Sequence, residues 1–216
     1  MALAAFLNTG QVCCSGSRLL VHKSIANEFV EKLKKFVAAQ YTKNIGDPLS
    51  EQTMLGPLVS STHFKKVKGY LKVAQQEGGT VVLGGQCGEA VGRRIGSRFV
   101  NGNWFEPTII TGLADDCRCA MEEIFGPILT VHTFENEEEA LRMANQVRYG
   151  LAASVWTSDI RRGQRVARQL EAGSVWINCY LAGDSRMPFG GFKDSGVQRE
   201  NGVHSINFFS EIKAVK

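Results

Sequence analysis

The chain has 216 residues, a formal net charge of +4, and 44% hydrophobic against 21% charged residues, the balance of an ordinary soluble globular protein that can bury a real core. No apolar run approaches the ~18 residues that a membrane span needs. The charge is mild and scattered; its densest basic runs, EKLKK at 31–35 and HFKKVK at 63–68, sit in helical patterns and read as solvated helix faces, not as a nucleic-acid patch. MALAAFL at the start is short and lacks a basic flank, so no secretion signal and a cytoplasmic location are expected.

Residues 2–7 look like the end of a helix, and RLLVH at 18–22 is a short strand candidate. Ser24 is placed to cap a helix with Ile25, Phe29, Leu33, Phe36 and Val37 on one face. A loop punctuated by Gly46, Pro48, Gly56 and Pro57 follows. Ser60 or Ser61 starts a second helix with Phe64, Val67, Leu71 and Ala74 inward, stopped by Gly78-Gly79. TVVLGG reads as a strand, and residues 84–103 as a glycine-rich surface excursion. FEPTII and PILTVHTF are strands, and Asn136 to Glu139 has capping-box spacing ahead of a helix. LAASVWT, a helix from Ser158 or Asp159 to about Leu170, and SVWINCY complete the alternation. Strands apolar on both faces, alternating with helices, predict an α/β fold with a mainly parallel sheet covered by helices. The terminal SINFFSEIKAVK alternates in part, and is expected to form an edge strand that pairs with another subunit.

Neither G-x-G-x-x-G nor a Walker loop occurs. The six cysteines, Cys13, Cys14, Cys87, Cys117, Cys119 and Cys179, have no C-x-x-C spacing and no paired His/Cys, so reduced thiols are expected and no metal site. Adjacent Cys13 and Cys14 are poorly placed to bridge each other. In GQVCCSGSR, small neighbours would let a substrate and backbone amides approach a sulfur. The plainer reading is two buried thiols in a turn. Glu122 and Glu123 in MEEIFGPI point to opposite sides of an extended segment, so one could face a ligand and the other water, or both could be solvated. Phe189 and Phe192 in MPFGGFKDSG wall a pocket or pack as core or lid. None of His22, His63, His132 and His204 has a local partner that suggests catalysis.

FLNTGQVCCSGSR, GDP with LGPLVS, WFEPTII, EEIFGP, YGLAASVWTSD, GSVWINCY and PFGGFKDSG with RENG resemble, in order and over nearly the whole chain, the motifs of the aldehyde dehydrogenase superfamily. The resemblance implies that Cys13 is a nucleophile attacking an aldehyde, with hydride passing to NAD or NADP and water hydrolysing the thioester. It implies a Cys13 backbone amide in the oxyanion hole, Cys14 shaping the pocket, Glu123 on the nicotinamide ribose hydroxyls, Phe125 near the nicotinamide, and Phe189 in the substrate tunnel. Family members are about twice as long. Their dinucleotide-binding domain, general-base glutamate and oxyanion-hole asparagine precede this region, so residues 1–204 are expected to be a catalytic domain truncated at its N-terminal side, with 205–216 a terminal oligomerisation strand that makes homo-oligomers. Gln198 stands where the family has Gly, which would be strained if φ is positive there. GDSRMPFGG resembles semialdehyde-oxidising members, with Arg186 anchoring a carboxylate, whereas NTGQVCC and SGVQRENG look like betaine- and aminoaldehyde-type members, which Asp184 would suit. An Arg186 with no role in binding is the third reading. A non-catalytic structural remnant and a thiol esterase are the alternative functions.

Overall fold

A computed structural model describes all residues, Met1 to Lys216, and divides into two compact units, Met1–Ala140 and Leu141–Lys216. In the first unit the elements run α1 (Ala2–Phe6), β1 (Arg18–His22), α2 (Ala26–Gln40), α3 (Ser61–Gln76), β2 (Thr80–Leu83), α4 (Glu89–Ile95), β3 (Thr108–Thr111), α5 (Arg118–Met121) and β4 (Ile128–Phe134). Four strands form one sheet in the order β1-β4-β3-β2. The β1–β4 and β4–β3 pairs are parallel, with Leu19 opposite Val131 and Ile109 opposite Leu129, and only the edge strand β2 is antiparallel. The mainly parallel sheet expected from the strand pattern is therefore present.

Successive residues of the central strands feed two different cores, as a two-residue period demands. Ile109, Leu129 and Val131 pack with Phe6, Leu33 and Val37 from α1 and α2. Ile110 and Ile128 pack with Val67, Ala74 and Cys119 from α3 and α5. In α2 the buried face is Ala26, Leu33 and Val37, while Phe36 and, just ahead of the helix, Ile25 are exposed. Ser24 does not cap this helix; the His22 ring accepts the Ser24 N–H instead, and a short 3₁₀ turn intervenes. Ser60 does cap α3, its hydroxyl accepting the His63 N–H at 3.2 Å. Ser60→Ala should therefore lower stability by about 1 kcal/mol, read as a shift in urea midpoint at unchanged slope.

The glycine-rich stretch 84–103 is not an unstructured excursion. It holds α4, with Val91 fully buried and Glu89 paired to Arg93 one turn on. Gly92 is needed there because a Cβ would lie 2.5 Å from the Phe99 carbonyl, which in turn accepts the Trp104 indole N–H at 2.6 Å.

Helix α6 (Glu137–Asn145) follows β4, and the Asn136 side chain accepts the Glu139 N–H at 3.0 Å as the capping-box spacing predicts. The Glu139 carboxylate, however, reaches back to the N–H of Glu135, one residue before the cap.

The second unit contains β5 (Tyr149–Gly150), β6 (Ala152–Val155), α7 (Ile160–Gln169), β7 (Ser174–Ile177), β8 (Phe192–Lys193) and α8 (Gly202–Phe209). Strands β6 and β7 are parallel in register Ala152↔Ser174, and β5 pairs antiparallel with β8. Asp159 caps α7, accepting the N–H groups of Arg161 and Arg162 at 3.0 and 3.1 Å. At the end of the chain, the strand expected to pair with another subunit has no second copy to pair with. Residues 205–209 lie in α8, and 210–216 carry no regular structure. A strand that exists by pairing with a second copy has no ladder to join within one chain, so the local i,i+4 bonding of 202–209 prevails. Val203, Ile206, Phe209, Ile212 and Val215 stay exposed on this tail.

Candidate active site

The stretch that carries Cys13 begins with an unusual backbone. Asn8, Thr9 and Gly10 all have positive φ, at 50°, 58° and 69°. Two non-glycine residues in that region cost energy, so the surroundings must hold them. The Thr9 hydroxyl donates to the Gly56 carbonyl at 3.1 Å, the Asn8 amide to the Gln11 carbonyl at 3.1 Å, and the Gln11 side-chain oxygen accepts the Val59 N–H at 3.0 Å. Val12 to Ser15 then form a β-turn closed by the Ser15 N–H on the Val12 carbonyl at 3.0 Å. Cys13 and Cys14 are its two corner residues. Beyond it, the Gly16 N–H donates to the Ala4 carbonyl at 2.8 Å and the Ser15 hydroxyl to the same oxygen at 3.0 Å, fastening the turn to α1.

The two thiols are not equivalent. Cys13 is exposed and Cys14 half-buried, so the pair is in a turn but is not a buried pair. Burial pushes the Cys14 thiol up, and the neighbouring Cys13 adds to the effect. The backbone N–H of Cys13 makes no hydrogen bond within the chain, which leaves it available to an incoming oxygen.

The second motif, Glu122 to Pro127, is gripped by one face of α3. His63, Lys66, Val67 and Tyr70 recur at helical spacing and all reach this segment. Tyr70 and Arg118 bind the Glu122 carboxylate, with the phenol at 2.8 Å and the guanidinium at 2.9 and 3.0 Å. Arg118 first, then Tyr70, hold that carboxyl below its usual range. The carboxylate of Glu123 makes no hydrogen bond or ion pair and is exposed, while its carbonyl accepts Lys66 Nζ at 2.9 Å. Phe125 has φ +60°, and its carbonyl accepts the His63 Nε2–H at 2.6 Å. Glu122 is thus tied to Tyr70 and Arg118, which neither alternative read from the sequence described, and the Glu123 carboxylate is unpaired.

The two motifs meet through their glycines. A Cβ on Gly10 would lie 2.2 Å from the Gly126 carbonyl oxygen, and one on Gly126 would lie 2.8 Å from Val67. The Cys13 turn and the Phe125 segment are therefore built against one another, backbone to backbone. Sequence reasoning left His63 without a role and placed Lys66 on a solvated face. Their i, i+3, i+4, i+7 stripe with Val67 and Tyr70 was the signal available.

Arg186 and Phe189 belong to the second unit. The Arg186 guanidinium is exposed and paired with Asp184, its Nε at 2.9 and 3.0 Å from the two carboxylate oxygens. The two candidate substrate anchors thus neutralise each other in the isolated chain. Phe189 is half-buried and bridges Glu200 through two backbone hydrogen bonds of 3.0 and 2.7 Å. Gln198 lies outside the left-handed region, so its replacement of glycine brings no backbone strain.

This ordered set of motifs, on a parallel sheet with an exposed thiol at a turn, has clear relatives. Residues 1–215 match the sequence profile of the aldehyde dehydrogenase family. The chain belongs to that family. It is 44% identical over 212 residues to a 2-hydroxymuconic semialdehyde dehydrogenase of Pseudomonas putida, covering 98% of this chain and 42% of that protein. It is 43% identical over 213 residues to 4-trimethylaminobutyraldehyde dehydrogenase of Mus musculus, covering 99% of this chain and 42% of that protein. Among solved aldehyde dehydrogenases, the crystal structure of Staphylococcus aureus betaine aldehyde dehydrogenase in complex with NAD+ superposes with a TM-score of 0.88 at 38% identity, covering 96% of this chain and 40% of that one. The chain spans about two-fifths of the length of these aldehyde dehydrogenases.

Proposed function

We propose that this chain carries the nucleophile, and part of the cofactor site, of an NAD(P)-dependent oxidation of an aldehyde to a carboxylic acid. The observation that carries this reading is the exposed Cys13 at the corner of a braced turn, with its own N–H free, built against the Glu123–Phe125 segment. Cys13 sulfur adds to the carbonyl carbon, and the Cys13 N–H donates to the oxyanion that forms. After hydride loss the acyl group remains on Cys13 as a thioester, which water hydrolyses. NAD, when bound, supplies the hydride acceptor. The residues present fit it: the free Glu123 carboxylate is an acceptor suited to paired ribose hydroxyls, and the His63 and Lys66 contacts to the backbone hold Glu123 and Phe125 in place. Cys14 is the wall residue beside the sulfur.

For the substrate, the chain's own charges favour no single class. An aldehyde bearing a carboxylate would compete with Asp184 for Arg186, and a cationic one with Arg186 for Asp184. The exposed apolar tail supports association of copies as the assembled form.

Iodoacetamide labelling of the purified chain between about pH 6 and 8, mapped by peptide mass spectrometry with and without NAD, tests the reading. Cys13 should label ahead of the other five cysteines, and NAD should change its rate. Equal, slow labelling of all six, indifferent to NAD, would leave the non-catalytic reading in its place.

A further inference from the structure

Two glutamates stand side by side ahead of Phe125, and three donors converge on the carboxylate of the first. We propose that Tyr70 and Arg118 are positioning residues of the cofactor site: by fixing the Glu122 carboxylate they aim the neighbouring Glu123 carboxylate at the ribose hydroxyls. The proposal rests on the reading of Glu123 as the ribose acceptor.

The grip on Glu122 is more complete than folding requires. The Tyr70 hydroxyl donates to Oε2 at 2.8 Å, Arg118 Nε to Oε1 at 3.0 Å, and a terminal Arg118 nitrogen to Oε2 at 2.9 Å. The Arg118 and Glu122 side chains are 60% and 41% exposed, and ion pairs open to solvent contribute little to stability. What the forked arrangement supplies is direction, because both carboxylate oxygens are held. The phenol keeps its proton for this bond: burial first, and then Glu122, push its pKa up to about 12. Arg118 is itself anchored by the end of α3. Its backbone N–H donates to Glu77 Oε1 at 2.9 Å, and the Cys119 N–H to Glu77 Oε2 at 3.4 Å.

The backbone carries the constraint one residue further. Glu122 is extended, with φ −104° and ψ 151°, so the next side chain leaves on the opposite side. Ile124, one residue beyond, is buried in the core that Val67 and Tyr70 of α3 help to form. Residues 122 and 124 are thus both held to α3, and the carboxylate of 123 is left exposed between them. Lys66 keeps the segment from sliding by donating to the Glu123 carbonyl at 2.9 Å. Freeing Glu122 would let the segment roll about its own axis, and the Glu123 carboxylate would lose its fixed aim. Tyr70 and Arg118 act through Glu123 and need no contact with the cofactor themselves.

Iodoacetamide labelling of Cys13 in this chain, followed over a series of NAD concentrations, tests the proposal when each variant is compared with itself without NAD. Tyr70→Phe keeps the ring in the core and removes only the donor, and Glu122→Gln keeps the shape and removes the charge. Each should raise the NAD concentration that gives half the effect by about three- to tenfold, with the urea midpoint close to the native one. Arg118→Lys, which keeps the cation, should lose less than Arg118→Met. Glu123→Gln sets the limit: neither Tyr70→Phe nor Glu122→Gln should lose more, and Tyr70→Phe added to Glu123→Gln should cost nothing further. An unchanged NAD response in Tyr70→Phe and Glu122→Gln overturns the proposal. So does a Tyr70→Phe loss that persists undiminished beside Glu123→Gln, since the phenol would then act by another route. A native chain whose Cys13 labelling ignores NAD defeats the functional reading and the positioning role with it. A native chain that responds, with variants that respond alike, defeats only the positioning role.

Discussion

Gly10→Ala should be among the most damaging single methyl additions in the chain. The new Cβ would lie 2.2 Å from the Gly126 carbonyl oxygen and 2.9 Å from the Pro127 nitrogen, and both are backbone. Neither can rotate aside as a flexible side chain would. The φ of +69° adds a second penalty, because an L-residue is strained there. Together the strain and the overpacking cost roughly 2–5 kcal/mol, a large share of the stability of an ordinary domain. The effect should be visible twice: as a lowered urea midpoint, and as loss of preferential iodoacetamide labelling at Cys13, because the turn is displaced from the Phe125 segment. Gly69→Ala is the control. It sits in the middle of α3 with open space around its would-be Cβ, and should be neutral or stabilising by up to about 1 kcal/mol. Equal losses in the two variants would show that the Gly10–Gly126 contact does not hold the turn.

Stability should also fall on mild acidification because of His132. This residue lies on β4, is only 4% exposed, and has its pKa pushed down to about 4 by burial first and then by the Arg18 cation, with Asp115 opposing weakly. The neutral ring is the folded form. The unfolded chain takes up its proton near pH 6.5, and the folded chain resists until about pH 4. Between those values the unfolded state binds more protons, so stability rises with pH: the contribution is complete above about pH 6.5 and is lost as pH falls toward 4. At about 1.4 kcal/mol per pH unit, about 2 kcal/mol should go between pH 6.5 and 5, before the carboxylates titrate. Urea midpoints measured across that interval should slope steeply in the native chain and much less in His132→Leu. A slope that survives the substitution would assign the effect to another group.

How much of this was legible in the sequence differs by kind of feature. Where a segment buries one stripe or two faces, periodicity found it: RLLVH, the Ser60-capped helix and the Asp159-capped helix all lie where the pattern puts them. The pattern failed where local and tertiary demands part. Gly92 looks like a helix breaker, yet it sits inside α4 because the Phe99 carbonyl leaves no room for a side chain. For the site, the motifs pointed to Cys13, Glu123 and Phe125. What joins them was hidden. The left-handed backbone of Thr9 and Phe125 is set by hydrogen bonds to Gly56 and His63, distant in sequence, and no local propensity announces it.

The contact between Gly10 and Gly126 also bears on when the thiol matures during folding. The turn's shape depends on a carbonyl far along the chain from it, and on β4 joining β1 in a parallel ladder, which closes a long loop. Such pairings are slow to form. A nascent or partly folded chain therefore exposes Cys13 as an ordinary cysteine. Its position against the Phe125 segment arrives late, with the completed sheet.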